Sequence, residues 1–118
     1  WEDRYKYLID LGNSLPLMDD SLKTEATKVK GCMSQVWILL GWDAGKLTLL
    51  ADSDAQIVRG LIAVLYALFA DKTVAEIENI DVEKTFRDLG LEGFFSPNRG
   101  YGFFSMVEVV RTFTSRRT

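Results

Sequence analysis

The 118-residue chain contains no histidine and a single cysteine, Cys32. Without an imidazole base, a papain-like or caspase-like Cys–His nucleophile is excluded. One thiol cannot supply the four ligands of a structural zinc site, so no metal site is expected. Nor can it form an internal disulfide, which removes thioredoxin-type exchange through a resolving thiol and any need for an oxidising compartment. A reducing, intracellular setting is the expectation: cytoplasmic in the simplest case, or an organelle stroma if a leader before Trp1 has been removed. There is no phosphate-cradling GxxxxGK spacing. The longest apolar run, Leu61 to Ala70, is far short of the ~20 residues that span a bilayer, so no membrane partner is expected. Basic residues are also too few for a general nucleic-acid binder, with 14 Lys and Arg against 17 Asp and Glu. The short basic tail of Arg111, Arg116 and Arg117 suits a helix C-terminus better than an RNA site.

What is present is the composition of a globular protein, 47% hydrophobic and 26% charged, at a length that fits one domain over residues 1–118. Trp1 to Leu15 carries a helical stripe of Tyr5, Leu8, Gly12 and Leu15, and Pro16 ends it. Thr24 to Val29 reads as a short edge strand. Gln35 to Leu40 and Lys46 to Ala51 read as two more, joined by a Gly41–Gly45 hairpin loop. Ser53-Asp54-Ala55-Gln56 fits a capping box, with Asp52 and Asp54 as helix-start charges. The helix it opens has Val58, Leu61, Ile62, Leu65 and Phe69 on one stripe, and Gly60 within it signals a close backbone approach. Thr73 to Glu76 is a second capping box. Asp81 caps a further helix that stops at Gly90. After a Leu91–Gly102 loop, a last helix turns Phe103, Met106, Val107 and Val110 inward. Three consecutive strands beside segregated helices give an α+β fold: a small three-stranded antiparallel sheet packed by several helices.

Cys32 has two readings. As a packed structural cysteine it would be a small buried hydrophobe in a non-carrier interaction module. As a reagent it would be an exposed thiol at a strand junction, with Gly31 allowing an unusual turn and Lys28 and Lys30 favouring the thiolate. A thiolate of that kind can take the outer sulfur of a persulfide by the chemistry of thiol–disulfide exchange. A cluster scaffold is the weaker alternative, because one thiol leaves most iron sites without ligands.

The block Val29-Lys30-Gly31-Cys32-Met33-Ser34-Gln35-Val36-Trp37 resembles the SufE/CsdE family of sulfur-acceptor proteins of iron–sulfur cluster assembly. The resemblance extends over Trp1-Glu2, Tyr7, Leu11-Gly12, Leu15-Pro16, Asp52-Ser53-Asp54-Ala55, Ile57 to Leu61, Leu89-Gly90-Leu91 and Ser96 to Gly102. It implies a fold similar to IscU-type scaffold proteins. It also implies that Cys32 accepts persulfide sulfur from a PLP-dependent cysteine desulfurase, stimulates that enzyme and passes sulfur to an iron–sulfur scaffold complex. The chain itself would not be an enzyme and would hold no stable cofactor, the PLP belonging to the desulfurase; it would act as a monomer or a homodimer. Asp54 and Arg99 match family residues that lie near the cysteine loop and affect the desulfurase interaction. With Lys28, Lys30, Gly31, Ser34 and Gln35 they form the expected set of loop and partner contacts. The chain departs from the family pattern at Gly100-Tyr101-Gly102-Phe103, which sets an aromatic beside the arginine loop.

Overall fold

The computed structural model describes residues 2–16, 18–29, 35–91 and 103–116, without the side chains of Glu2, Arg4 and Tyr5. Its sheet is a hairpin of β1 (Val36–Asp43) and β2 (Lys46–Ser53), paired antiparallel from Val36 opposite Ser53 to Asp43 opposite Lys46. Alternation sorts the faces. Val36, Ile38, Leu47, Leu49, Ala51 and Ser53 are buried, whereas Leu39 on the other face is exposed. The five-residue loop expected at Gly41–Gly45 is instead a two-residue turn. Ala44 and Gly45 have φ of 53° and 79°, the pair of positive values that matches a hairpin's right-handed twist. Gly41 and Trp42 stay in the strand, and the Trp42 ring stacks on Phe113 with centroids 5.8 Å apart.

The third expected strand, Thr24 to Val29, does not form among the described residues. Only Lys28 makes an isolated antiparallel bridge, to Trp37, flanked by Val29 N–H donating to Val36 C=O (2.8 Å) and Ile38 N–H to Thr27 C=O (2.7 Å). The reason is local competition. Thr27 Oγ1 donates to Leu22 C=O (2.7 Å) and accepts from Thr24 N–H (3.0 Å), which curls residues 24–27 into a turn before the chain reaches β1. The β-branched threonines that suggest a strand are the residues that fold it back.

Helix α1 (Glu2–Gly12) ends three residues sooner than Leu15, as Ser14 and Leu15 donate to Leu11 and Gly12 in tighter turns. It packs on α2 (Gln56–Phe69) through a contact that only glycine allows. A Cβ on Gly60 would overlap the Leu8 carbonyl and lie 2.7 Å from Leu8 Cβ, and one on Gly12 would lie 2.9 Å from the Gly60 nitrogen. α3 (Val74–Glu78) opens with the expected capping box: Thr73 Oγ1 accepts from Glu76 N–H, and Glu76 Oε1 accepts from Thr73 N–H. α4 (Val82–Asp88) is capped by Asp81. It ends in a Schellman motif at Gly90 (φ 73°), with Leu91 N–H on Phe86 C=O and Gly90 N–H on Arg87 C=O.

α5 (Phe103–Ser115) turns Phe103, Met106, Val107 and Val110 inward as expected. Its Arg111 does not serve its own helix end; Nη2 donates to Ile80 C=O, just past α3 (3.0 Å). Residues 92–102 of the loop before α5, and Arg117, lie outside the described residues. Buried side chains from hairpin and helices join in one core that includes Leu8, Leu47, Leu61, Leu65, Phe69, Phe86, Phe103 and Met106. Each such side chain contributes about 1.5–3 kcal/mol by leaving water. Among the described residues no helix is long and apolar enough to cross a membrane.

Candidate functional site

The segment bearing Cys32 leaves the described chain after Val29 and returns at Gln35, so the site is defined by its two stems. The incoming stem is tied to β1 by the bonds of Thr27 and Val29 given above. The outgoing stem is tied to the junction between β2 and α2. Asp54 Oδ1 accepts from Gln35 N–H (3.1 Å), Asp54 N–H donates to Gln35 C=O (3.3 Å), and Ser53 Oγ donates to the same carbonyl (2.7 Å). Ser53 Oγ also accepts from Ala55 N–H (3.2 Å).

These bonds replace the capping box expected at Ser53. α2 begins at Gln56, its N-cap residue is Ala55, and no side chain caps it. Ser53 is the last residue of β2, where the strand alternation turns it inward, and its hydroxyl bonds Gln35 C=O and the N-cap N–H of Ala55 instead of an N–H in the first turn of the helix. Its hydroxyl is buried and satisfied on both sides, so the S-D-A-Q signature marks the outgoing stem. Asp54 likewise meets the neighbouring chain through a backbone N–H.

Asp52, expected as a helix-start charge, does something else. Its carboxylate gathers Lys23 Nζ (3.0 Å), Arg59 Nε (3.1 Å) and the Ser53 N–H (2.8 Å). The Arg59 contact is ionic, since its N–H is not aimed for a hydrogen bond. Lys23 reaches Asp20 as well (3.1 Å) and stands 5.4 Å above the Trp37 ring, Trp37 being the register partner of Asp52. Hydrogen bonding to Asp52, then to Asp20, holds the Lys23 ammonium above the usual lysine range.

Of the residues expected from the sequence, the structure brings Lys28, Gln35 and Asp54 to the two stems. Lys28 is half-buried at its bridge with Trp37. Cys32, Lys30, Gly31, Ser34 and Arg99 lie outside the described residues. Sequence reasoning missed Lys23, Arg59 and the true roles of Asp52 and Ser53. The available signal was the strand alternation: with Ser53 inward, Asp52 must share a face with Trp37. Among the described residues no group of three or more His, Cys, Asp or Glu side chains is placed to hold a metal ion.

A two-stranded hairpin backed by crossed helices, with its β2–α2 junction holding Gln35 at the return of the thiol-bearing segment, defines a small α+β fold. The same architecture occurs in a hypothetical protein from Thermus thermophilus, known from a solution structure. The two share 19% identity at a TM-score of 0.75, over 98% of this chain and 84% of that one, which establishes the shared fold. Residues 1–114 match the family model of SufE, the Fe-S metabolism associated domain, and the chain belongs to that family. Its association is therefore with iron–sulfur metabolism.

Proposed function

We propose that this chain is a sulfur carrier: Cys32 accepts persulfide sulfur from a PLP-dependent cysteine desulfurase, stimulates that enzyme, and delivers the sulfur to an iron–sulfur scaffold complex. The observation that carries this reading is the anchoring of Val29 and Gln35 on either side of the chain's one thiol, in a family tied to iron–sulfur metabolism. Cys32 is three residues from each anchor, so covalent reach keeps it within about 11 Å of both. The single core shared by hairpin and helices supports treating residues 1–118 as one acceptor domain.

The transfer is an exchange with no net redox change. The Cys32 thiolate attacks the outer sulfur of the donor's persulfide, a new S–S bond forms on Cys32, and the donor's S–S bond breaks to release a thiolate. A second exchange, with a scaffold thiolate as nucleophile, unloads it. No general base is required if the thiol is already ionised, which suits a chain without histidine. Lys28 places positive charge on the incoming stem, and Lys30 and Arg99 add to it by sequence. PLP chemistry belongs to the desulfurase.

The test is intact mass after incubation with a cysteine desulfurase and free cysteine. The expected product carries one extra sulfur, located on Cys32 and lost on reduction, and Cys32→Ser takes none. An unmodified wild-type mass, or stimulation of the desulfurase that survives Cys32→Ser, overturns the reading. Alkylation of the native protein tests the packed-cysteine alternative, since a packed thiol reacts only after denaturation.

A further inference from the structure

The carrier reading gives no role to Lys23, Asp52 and Arg59, yet they hold the densest charge cluster among the described residues. We propose that this cluster is a positioning device for the Cys32 segment: it fixes the incoming stem against the sheet, as Ser53 and Asp54 fix the outgoing one, and so sets where the thiol meets its sulfur donor. This inference rests on the carrier reading.

Asp52, Ser53 and Asp54 are consecutive, and between them they reach both sides of the thiol segment. Ser53 and Asp54 hold Gln35, while Asp52 holds Lys23, six residues before Val29. Arg59 ties the same carboxylate to α2, one residue before the Gly60 crossing with α1. Position of the incoming stem is thereby referred to the helix pair that crosses at Gly12 and Gly60.

The chemistry of the cluster favours positioning over stability. The Asp52 side chain is 14% exposed and that of Lys23 is 22% exposed, so both side chains are largely covered by their neighbours. Partly buried ion pairs recover their desolvation cost only in part, and an apolar side chain of similar size is often as stabilising. A methionine at position 23 would keep the contact over Trp37 without the desolvation cost. What the ions add is direction: two cations, from the incoming stem and from α2, converge on one carboxylate. Lys23 is further confined by Asp20 and by the Trp37 ring, which attracts a cation on its face. Small displacements of reacting groups are costly, so loss of this registration should appear in transfer kinetics more than in folding.

The experiment measures sulfur loading of Cys32 from a cysteine desulfurase by intact mass, as a function of carrier concentration, well below the melting temperature. The variants are Lys23→Met, Asp52→Asn and the conservative Lys23→Arg. Cooperative thermal unfolding shows which are folded, and Asp52→Asn, which keeps side-chain size, serves if Lys23→Met does not fold. The expected result is a loading efficiency lowered roughly tenfold in Lys23→Met and largely recovered in Lys23→Arg. Wild-type loading together with equal loading by folded Lys23→Met or Asp52→Asn overturns the positioning role and leaves the carrier reading intact. If wild type takes up no sulfur, the carrier reading falls. The stem proposal is then decided by alkylation of native Cys32 with iodoacetamide: equal rates in wild type and Lys23→Met overturn it, and a faster variant sustains it.

Discussion

Replacing Ser53 with alanine removes one oxygen atom from the place where the returning chain meets β2 and α2. Two bonds are lost, one to Gln35 C=O at 2.7 Å and one from Ala55 N–H at 3.2 Å. Gln35 C=O keeps a longer bond from Asp54 N–H at 3.3 Å. Ala55 N–H has no capping-box acceptor to turn to, because the third helical residue is Val58. A lost bond costs about 0.5–1.5 kcal/mol, and an N–H left without a partner in a half-buried place costs about 1–3 kcal/mol, so Ser53→Ala should lose about 2 kcal/mol. For 118 residues the unfolding entropy is about 0.25 kcal/mol/K, which converts that loss to a fall in Tm of roughly 8 °C. Differential scanning calorimetry at neutral pH reads the change directly. Alkylation of Cys32 well below both melting points should also be faster in the variant, because the outgoing stem has lost a tether. A Tm within about 2 °C of wild type would show that the Ser53 hydroxyl does not tie the stem, and the reasoning would fail.

Gly60→Ala gains helix propensity of about 1 kcal/mol but drives a methyl into the Leu8 backbone at a cost of about 3 kcal/mol, so a net loss of about 2 kcal/mol is expected by urea denaturation. A neutral or stabilising result there would mean that α1 and α2 do not cross at this point. Ala44→Asn should stabilise by about 0.5–1 kcal/mol, because position 44 has φ of 53° and asparagine tolerates that region better than alanine. Chemical denaturation of the two proteins measures the gain, and an unchanged or lower stability would contradict it. Glu76 is held below its usual value of 4.5 first by the Thr73 backbone N–H and then by the Thr73 hydroxyl. Its folded value is depressed, so its contribution is complete above the unfolded pKa and disappears as pH falls through the lower folded one. The stability gap between wild type and Glu76→Gln should accordingly be present at neutral pH and shrink below about pH 4, as chemical denaturation at the two pH values will show.

Much of this architecture is legible in the residues because the deciding interactions are local. The capping box at Thr73, the Gly90 stop and the inward stripe of α5 each need only neighbours within a turn or two, and all are present. The close approach at Gly60 is also readable, since a glycine inside an apolar helix costs about 1 kcal/mol and a passing backbone is what makes that cost worthwhile. The departures arise where a side chain has a local and a distant partner to choose between. Ser53 looks like a cap from its four-residue context, yet the pleat of β2 turns it toward Gln35, 18 residues earlier. Thr24 and Thr27 look β-prone, yet their hydroxyl chemistry closes a turn and leaves one bridge where the pattern predicts a strand. The Lys23–Asp52–Arg59 cluster spans three separate parts of the chain, and no spacing rule connects them. For the candidate site, the motif around Cys32 singles out the thiol, which lies outside the described residues, while the fastening of the two stems is visible only in the folded hairpin and its junction with α2.

The most direct test of the carrier role follows the sulfur atom itself. Cysteine radiolabelled at sulfur is supplied to a cysteine desulfurase together with this protein, and the protein is then resolved under non-reducing conditions. Label bound to wild type, released by a thiol reductant and absent from Cys32→Ser is the predicted result. Desulfurase turnover that leaves wild type unlabelled, or equal label on Cys32→Ser, would contradict it.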